Sequence, residues 1–134
     1  MTAAERMLIL VLRLFGGVML LALPSALMPL RWMNVVHQEL GLGDLPGAPI
    51  VEYLARSCSI LYAMHGALVF FVSFDVRRYA DVIRFLALAG FVFGVGMFWV
   101  DWTAQMPAFW TWSEGPIILA ESALILVLLR RTAR

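Results

Sequence analysis

The stretch IVEYLARSCSILYAMHGALVFFVSF, residues 50 to 74, contains only two charged side chains, Glu52 and Arg56, both near its beginning. The rest of the stretch is predominantly apolar. An α-helix needs about 20 such residues to cross the hydrocarbon core of a bilayer, which is about 30 Å thick. We therefore interpret residues 50–74 as a transmembrane helix, and this interpretation decides the class of fold.

Three further runs of the same character occupy most of the remaining chain, at about residues 7–30, 80–100 and 113–130. The composition is 63% apolar and 14% charged, whereas soluble domains are nearer half apolar and a quarter charged. Four spans use nearly all of the 134 residues. The sequence therefore predicts an all-α polytopic membrane protein, a four-helix transmembrane bundle forming a single domain over residues 1–134, without a soluble lobe or a nucleic-acid-binding module.

The arginines indicate an orientation. The chain has ten arginines and no lysine, and a four-span arrangement places all of them on one side except Arg31 and Arg56. The positive-inside rule then puts both termini and the turn at about 75–82 in the cytoplasm. All five tryptophans fall at the opposite ends of the spans, which is typical of an aromatic belt. A ligand-stacking platform is the alternative interpretation.

The longest connection follows the first span, from Arg31 to Pro49. Apolar and polar residues alternate in its first half, which is compatible with a short amphipathic helix lying on the outer surface. Glycines and prolines between Gly41 and Pro49 then interrupt the pattern. We expect this segment to cap the outer side of the bundle.

The third span contains a small-residue motif. Gly90 and Gly94 have the GxxxG spacing, and Gly96 follows two residues later. In an apolar helix this spacing permits close backbone packing. The motif predicts a helix-packing face, either inside the bundle or between two copies of the chain.

Glu121 is the strongest candidate for a functional side chain. It lies in the fourth span, nine residues before Arg130, which corresponds to about 14 Å from the inner surface at about 1.5 Å per residue. An acidic group at that depth is costly and usually faces the protein interior. His65 in the second span lies ten residues from Asp75, at a similar depth of about 15 Å.

Two interpretations of these polar groups remain open. Glu121 and His65, with the hydroxyl of Tyr62 one turn away, could bind a buried ligand or relay a proton. Alternatively, Glu121 and His65 form a static polar clasp that selects which helices pack together.

Other chemistry has little support in the sequence. There is no arrangement of nucleophile and base, no phosphate-binding loop and no spacing of ligands that indicates a metal site. Cys58 is the only cysteine, which excludes an intrachain disulfide. Asp101, beside Trp99 and Trp102, is expected to be a solvated or N–H-bonded carboxylate at the outer interface.

The layout resembles the small bacterial membrane proteins grouped as DoxX-like. The resemblance is carried by RWMNVVHQELGLGDLPG at residues 31–47, by GALVFF at residues 66–71 and by the span that contains Glu121. Such proteins have a first span, an outer amphipathic segment and three closely connected spans, and some are subunits of quinol-oxidising membrane systems. The acid in that family often lies in an earlier span, so the resemblance transfers no functional residue to this chain.

These observations predict a non-enzymatic membrane subunit or a binder of a lipid or quinone near Glu121, His65 and Tyr62. One alternative is an interaction subunit that packs against a larger membrane complex, or against itself, through the glycines of the third span. The other is an oligomeric proton-linked transporter that uses Glu121.

Overall fold

The computed structural model describes residues 1–132, of which no residue lies in a β-strand. The helices are α1 (Ala3–Leu20), α2 (Leu23–Leu27), α3 (Leu30–Glu39), α4 (Pro49–Val72), α5 (Ala80–Thr103), α6 (Ala108–Thr111) and α7 (Glu114–Thr132). Four segments are long and apolar enough to cross a membrane: Ala3–Leu27, Pro49–Val72, Ala80–Thr103 and Ala108–Thr132. The prediction of an all-helical chain with four such helices is confirmed.

The first of these segments differs from the range expected from hydropathy. It begins at Ala3 rather than near Met7, and it is interrupted after Leu20 before α2 begins at Leu23. Pro24 occupies the first turn of α2, where a backbone N–H would have no acceptor within the helix. Met28 is extended, with ψ of 135°, because the residue before a proline is disfavoured in helical conformation. Pro29 thus ends the first span.

The amphipathic segment after the first span forms α3, and its end is a Schellman motif. The N–H of Leu42 donates to the carbonyl oxygen of His37 at 3.1 Å, and the N–H of Gly41 donates to that of Gln38 at 2.9 Å. Gly41 has a φ of +74°, the left-handed conformation that glycine adopts without strain. The motif turns the chain back along α3.

The chain divides into two compact units, which are described separately. The first comprises Met1–Arg13 and residues 72–134, and the second comprises Leu14–Phe71. In the first unit, α5 packs along α7, with Ile83, Ala87, Ile125 and Leu129 among the buried side chains. The second unit contains the remainder of α1 together with α2, α3 and α4.

The beginning of α1 is held by a capping box. The amide of Glu5 donates to Oγ1 of Thr2 at 3.2 Å, and the amide of Thr2 donates to Oε2 of Glu5 at 2.6 Å. The other carboxylate oxygen of Glu5 accepts from the guanidinium of Arg77, in the turn before α5. This hydrogen bond raises the pKa of Arg77 above its ordinary value. Glu5 is only 2% exposed, so the contact holds the N-terminus to that turn.

Candidate functional site

Glu121 lies on α7, seven residues after the beginning of that helix at Glu114, and its side chain is half-buried. Within the described part of its own unit, its carboxylate has no hydrogen bond or ion pair. The next residue, Ser122, is 4% exposed and faces Gly90 of α5, where an added β-carbon would lie 2.5 Å from its Oγ. Within that part of the chain, Glu121 is therefore an acid without a partner, one residue before a close contact between α7 and α5.

The glycines of α5 differ in their surroundings. A β-carbon on Gly94 would lie 3.0 Å from Cγ of Leu119 and 3.1 Å from the carbonyl oxygen of Gly115 on α7. Gly90 also faces α7, whereas a β-carbon on Gly96 would meet nothing within 4 Å. The small residues at positions 90 and 94 thus serve the contact between α5 and α7, and a partner protein would have to use another face.

His65 and Tyr62 lie on α4 in the second unit, and both are half-buried. The residue after His65 is Gly66, which meets α1 at a close crossing. A β-carbon on Gly66 would lie 2.7 Å from the carbonyl oxygen of Gly16, and one on Gly16 would lie 2.9 Å from that of Gly66. His65 is therefore next to a point where two backbones touch. Because His65 and Glu121 belong to different units, their predicted pairing stays a prediction.

Arg56 joins α4 to the end of α2. It pairs with Glu52 one turn earlier on α4, with Nε of Arg56 2.9 Å from Oε1 of Glu52. In addition, Arg56 donates to the carbonyl oxygen of Ala26 and, at 3.1 Å, to that of Met28. These carbonyls lie where α2 ends, so α4 satisfies acceptors that the broken first span leaves free.

Asp101 does not match the expectation of a solvated or N–H-bonded carboxylate. It lies near the end of α5, is 3% exposed, and its Oδ2 is buried without a hydrogen-bond partner among residues 1–132. The segment after α5 covers this end of the helix, and Thr111 of α6 is also buried. Hydropathy does not predict the burial of Asp101, because the segment that covers it has the composition of an ordinary loop with polar and aromatic residues.

An aromatic cluster lies at the same end of the unit. Phe98 is in edge contact with Trp112, with ring centroids 5.4 Å apart, and is stacked with Trp102 at 6.4 Å. Nε1 of Trp110 donates to Oε2 of Glu114 at 2.6 Å. These tryptophans therefore have contacts within the protein, in addition to the exposed area that Trp102 and Trp112 retain.

Comparison with known proteins adds no assignment. The chain matches no protein family model, no curated protein and no solved structure.

Proposed function

We propose that this chain is a multi-pass protein of the bacterial inner membrane, with both termini in the cytoplasm, that binds a lipid or quinone-type molecule without transforming it. The orientation is inferred from the distribution of arginines. In a four-span arrangement, Arg77 and Arg78 lie on the same side of the membrane as Arg130 and Arg131. The resemblance to DoxX-like proteins is part of the same proposal.

The observation that carries the proposal is the state of Glu121. A half-buried carboxyl in the middle of an apolar helix, without an ion pair in the described part of its unit, is unfavourable unless another group compensates for it. Such groups in membrane helices commonly mark sites where a ligand or proton is handled. Here the compensating group is the polar part of an amphiphile.

The chemistry of the side chain defines the ligand class. A carboxyl group can donate to a quinone or ester carbonyl when protonated, and can accept from a hydroxyl when ionised. The neighbouring side chains on the same face of α7, Ile117 and Leu124, are exposed and apolar, which suits the hydrocarbon part of the same molecule. His65 and Tyr62 offer a second set of polar groups on α4, whose participation is tested separately.

Native mass spectrometry of the gently extracted protein tests this proposal. We expect a discrete small-molecule adduct on the wild-type protein, and about tenfold lower occupancy in Glu121→Gln, the loss expected when a hydrogen bond to the ligand is removed. The matched control is Asp81→Asn, which removes a carboxyl that is 93% exposed and should leave the adduct unchanged. His65→Ala and Tyr62→Phe show whether α4 contributes.

Equal occupancy in Glu121→Gln and Asp81→Asn would show that the ligand does not use Glu121. A wild-type protein that carries no adduct, and is found only in a larger assembly, would favour an interaction subunit instead. Flux across liposomes that depends on pH and is lost in Glu121→Gln would favour the proton-linked transporter.

A further inference from the structure

The loop after α3 folds back on that helix, and an open cavity of about 370 Å³ lies between the two. Its polar lining comes from Arg31, Asn34 and Asp44, and its apolar lining includes Leu30, Leu45 and Pro46. This volume is in the range of small-molecule sites. The cavity lies entirely within the second unit and involves none of the residues assigned to the site at Glu121.

Hydrogen bonds between α3 and the loop hold the cavity in shape. The amide of Leu45 donates to Oδ1 of Asn34 at 2.6 Å, and Nε2 of Gln38 donates to Oδ1 of Asp44 at 2.6 Å. A further contact at 2.8 Å joins Nδ1 of His37 to the carbonyl oxygen of Gly43. Three contacts along α3 thus hold the loop against this helix.

These hydrogen bonds determine which polar atoms of the cavity are still available to bind a ligand. The oxygen of Asn34 is used by Leu45, so its amide nitrogen is the group left to donate. Arg31 lies three residues earlier, on the same helix face, and contributes a guanidinium. Asp44 retains a second carboxylate oxygen that can accept. The cavity therefore presents two donors for an anion and one acceptor for a cation.

We propose that this cavity binds a phosphoethanolamine group, as the headgroup of phosphatidylethanolamine. The phosphate would accept from Arg31 and Asn34, and guanidinium groups match phosphate geometry well. The primary ammonium would donate to Asp44. A phosphoglycerol headgroup lacks that ammonium, and a choline headgroup carries no N–H to donate.

The exposed surface of α3 favours a lipid over a soluble compound as the source of this group. Trp32, Val35 and Val36 are 56%, 50% and 48% exposed, and an amphipathic helix with such a surface lies at the boundary between headgroups and acyl chains. A headgroup at that level has direct access to the cavity. The apolar walls would then face the glycerol ester region.

The test is native mass spectrometry of the full-length protein after exchange with dioleoyl lipids that carry ethanolamine, choline or glycerol headgroups. We expect ethanolamine lipid to be retained preferentially. Arg31→Gln should lower its occupancy about tenfold, the effect of losing a charge-assisted contact to phosphate. Asp44→Asn keeps an oxygen for Gln38 and should instead remove the preference for ethanolamine over glycerol. Arg130→Gln is the charge-matched control and should change neither.

Equal retention of the three lipids by the wild-type protein would overturn the proposal, as would equal occupancy in Arg31→Gln and Arg130→Gln. Soluble phosphoethanolamine, added as a competitor, separates the two sources of the group. Displacement of the lipid by an equal concentration of the soluble compound would overturn the assignment to a headgroup, whereas displacement only by a large excess of the soluble compound supports it. Glu121→Gln should leave headgroup preference unchanged, so this test and that of the proposed function can fail independently.

Discussion

Arg56 on α4 donates a hydrogen bond of 3.1 Å to the carbonyl oxygen of Met28, which lies 28 residues earlier in the chain. Met28 is extended because Pro29 follows it. The proline thus frees backbone acceptors at the end of the first span, and the arginine of another span occupies them. A single side chain thus compensates for the break in a helix of membrane-spanning length.

Replacing Arg56 with glutamine should therefore be more damaging than breaking its ion pair. Arg56→Gln leaves the carbonyls of Ala26 and Met28 without their donor, at a cost of about 1–3 kcal/mol in the free energy of unfolding. Glu52→Gln removes only a partly exposed pair and should cost less than about 1 kcal/mol. Denaturation of both variants in detergent, followed by circular dichroism, measures this difference. Equal effects would mean that the carbonyl contacts contribute nothing.

The glycines of α5 give a matched pair of substitutions. Gly94→Ala introduces a methyl group 3.0 Å from Leu119 and 3.1 Å from the carbonyl oxygen of Gly115, and overpacking of this kind costs about 1–3 kcal/mol. Gly96→Ala meets nothing within 4 Å and should be neutral or stabilise the helix by up to about 1 kcal/mol. Thermal unfolding in the same detergent distinguishes them. If Gly96→Ala were the more damaging, α5 would not use Gly94 against α7.

Asp101 should be a site of stabilising substitution. Its buried Oδ2 has no partner in the described part of the chain, and a buried carboxylate oxygen without a hydrogen bond is unfavourable by about 1–3 kcal/mol. Asp101→Asn removes the charge at nearly constant volume, so its melting temperature should exceed that of the wild type. Asp81→Asn, at an exposed position, controls for the change in net charge. A lower melting temperature for Asp101→Asn would show that the carboxylate is compensated.

The contact between Glu5 and Arg77 should protect the beginning of α1 from solvent exchange. Glu5→Gln weakens the interaction with Arg77 while keeping an oxygen for the amide of Thr2. We expect faster hydrogen exchange in the first turns of α1 and unchanged exchange in α7. Arg78→Gln changes the neighbouring arginine, which is stacked near Tyr79, and should leave α1 unaffected. Identical exchange in α1 for the two variants would contradict the role of Glu5.

Hydropathy was sufficient to predict the class of fold, because the four membrane-length segments are long and continuous in composition. The amphipathic segment, and the glycines and prolines that interrupt it, could also be predicted from the sequence. The capping box at Thr2 and Glu5 has a recognisable local signature, so the sequence could have revealed it.

The contacts between residues far apart in the chain have no local sequence signature. The partners of Arg56 and Arg77 lie 28 to 72 residues away, and local periodicity carries no information about contacts at that separation. Burial of Asp101 depends on how the segment before α7 covers the end of α5. The pairing of Gly16 with Gly66 likewise depends on where two helices cross.

The most direct test of ligand binding at Glu121 is its reactivity with dicyclohexylcarbodiimide, an apolar reagent that enters the bilayer and modifies protonated carboxyl groups. Peptide mass spectrometry should locate the modification at Glu121 in delipidated protein and show strong protection when the copurified ligand is retained. Glu121→Gln should lose the modification. Equal labelling of Glu121 with and without the bound molecule would contradict the claim that this carboxyl contacts the ligand.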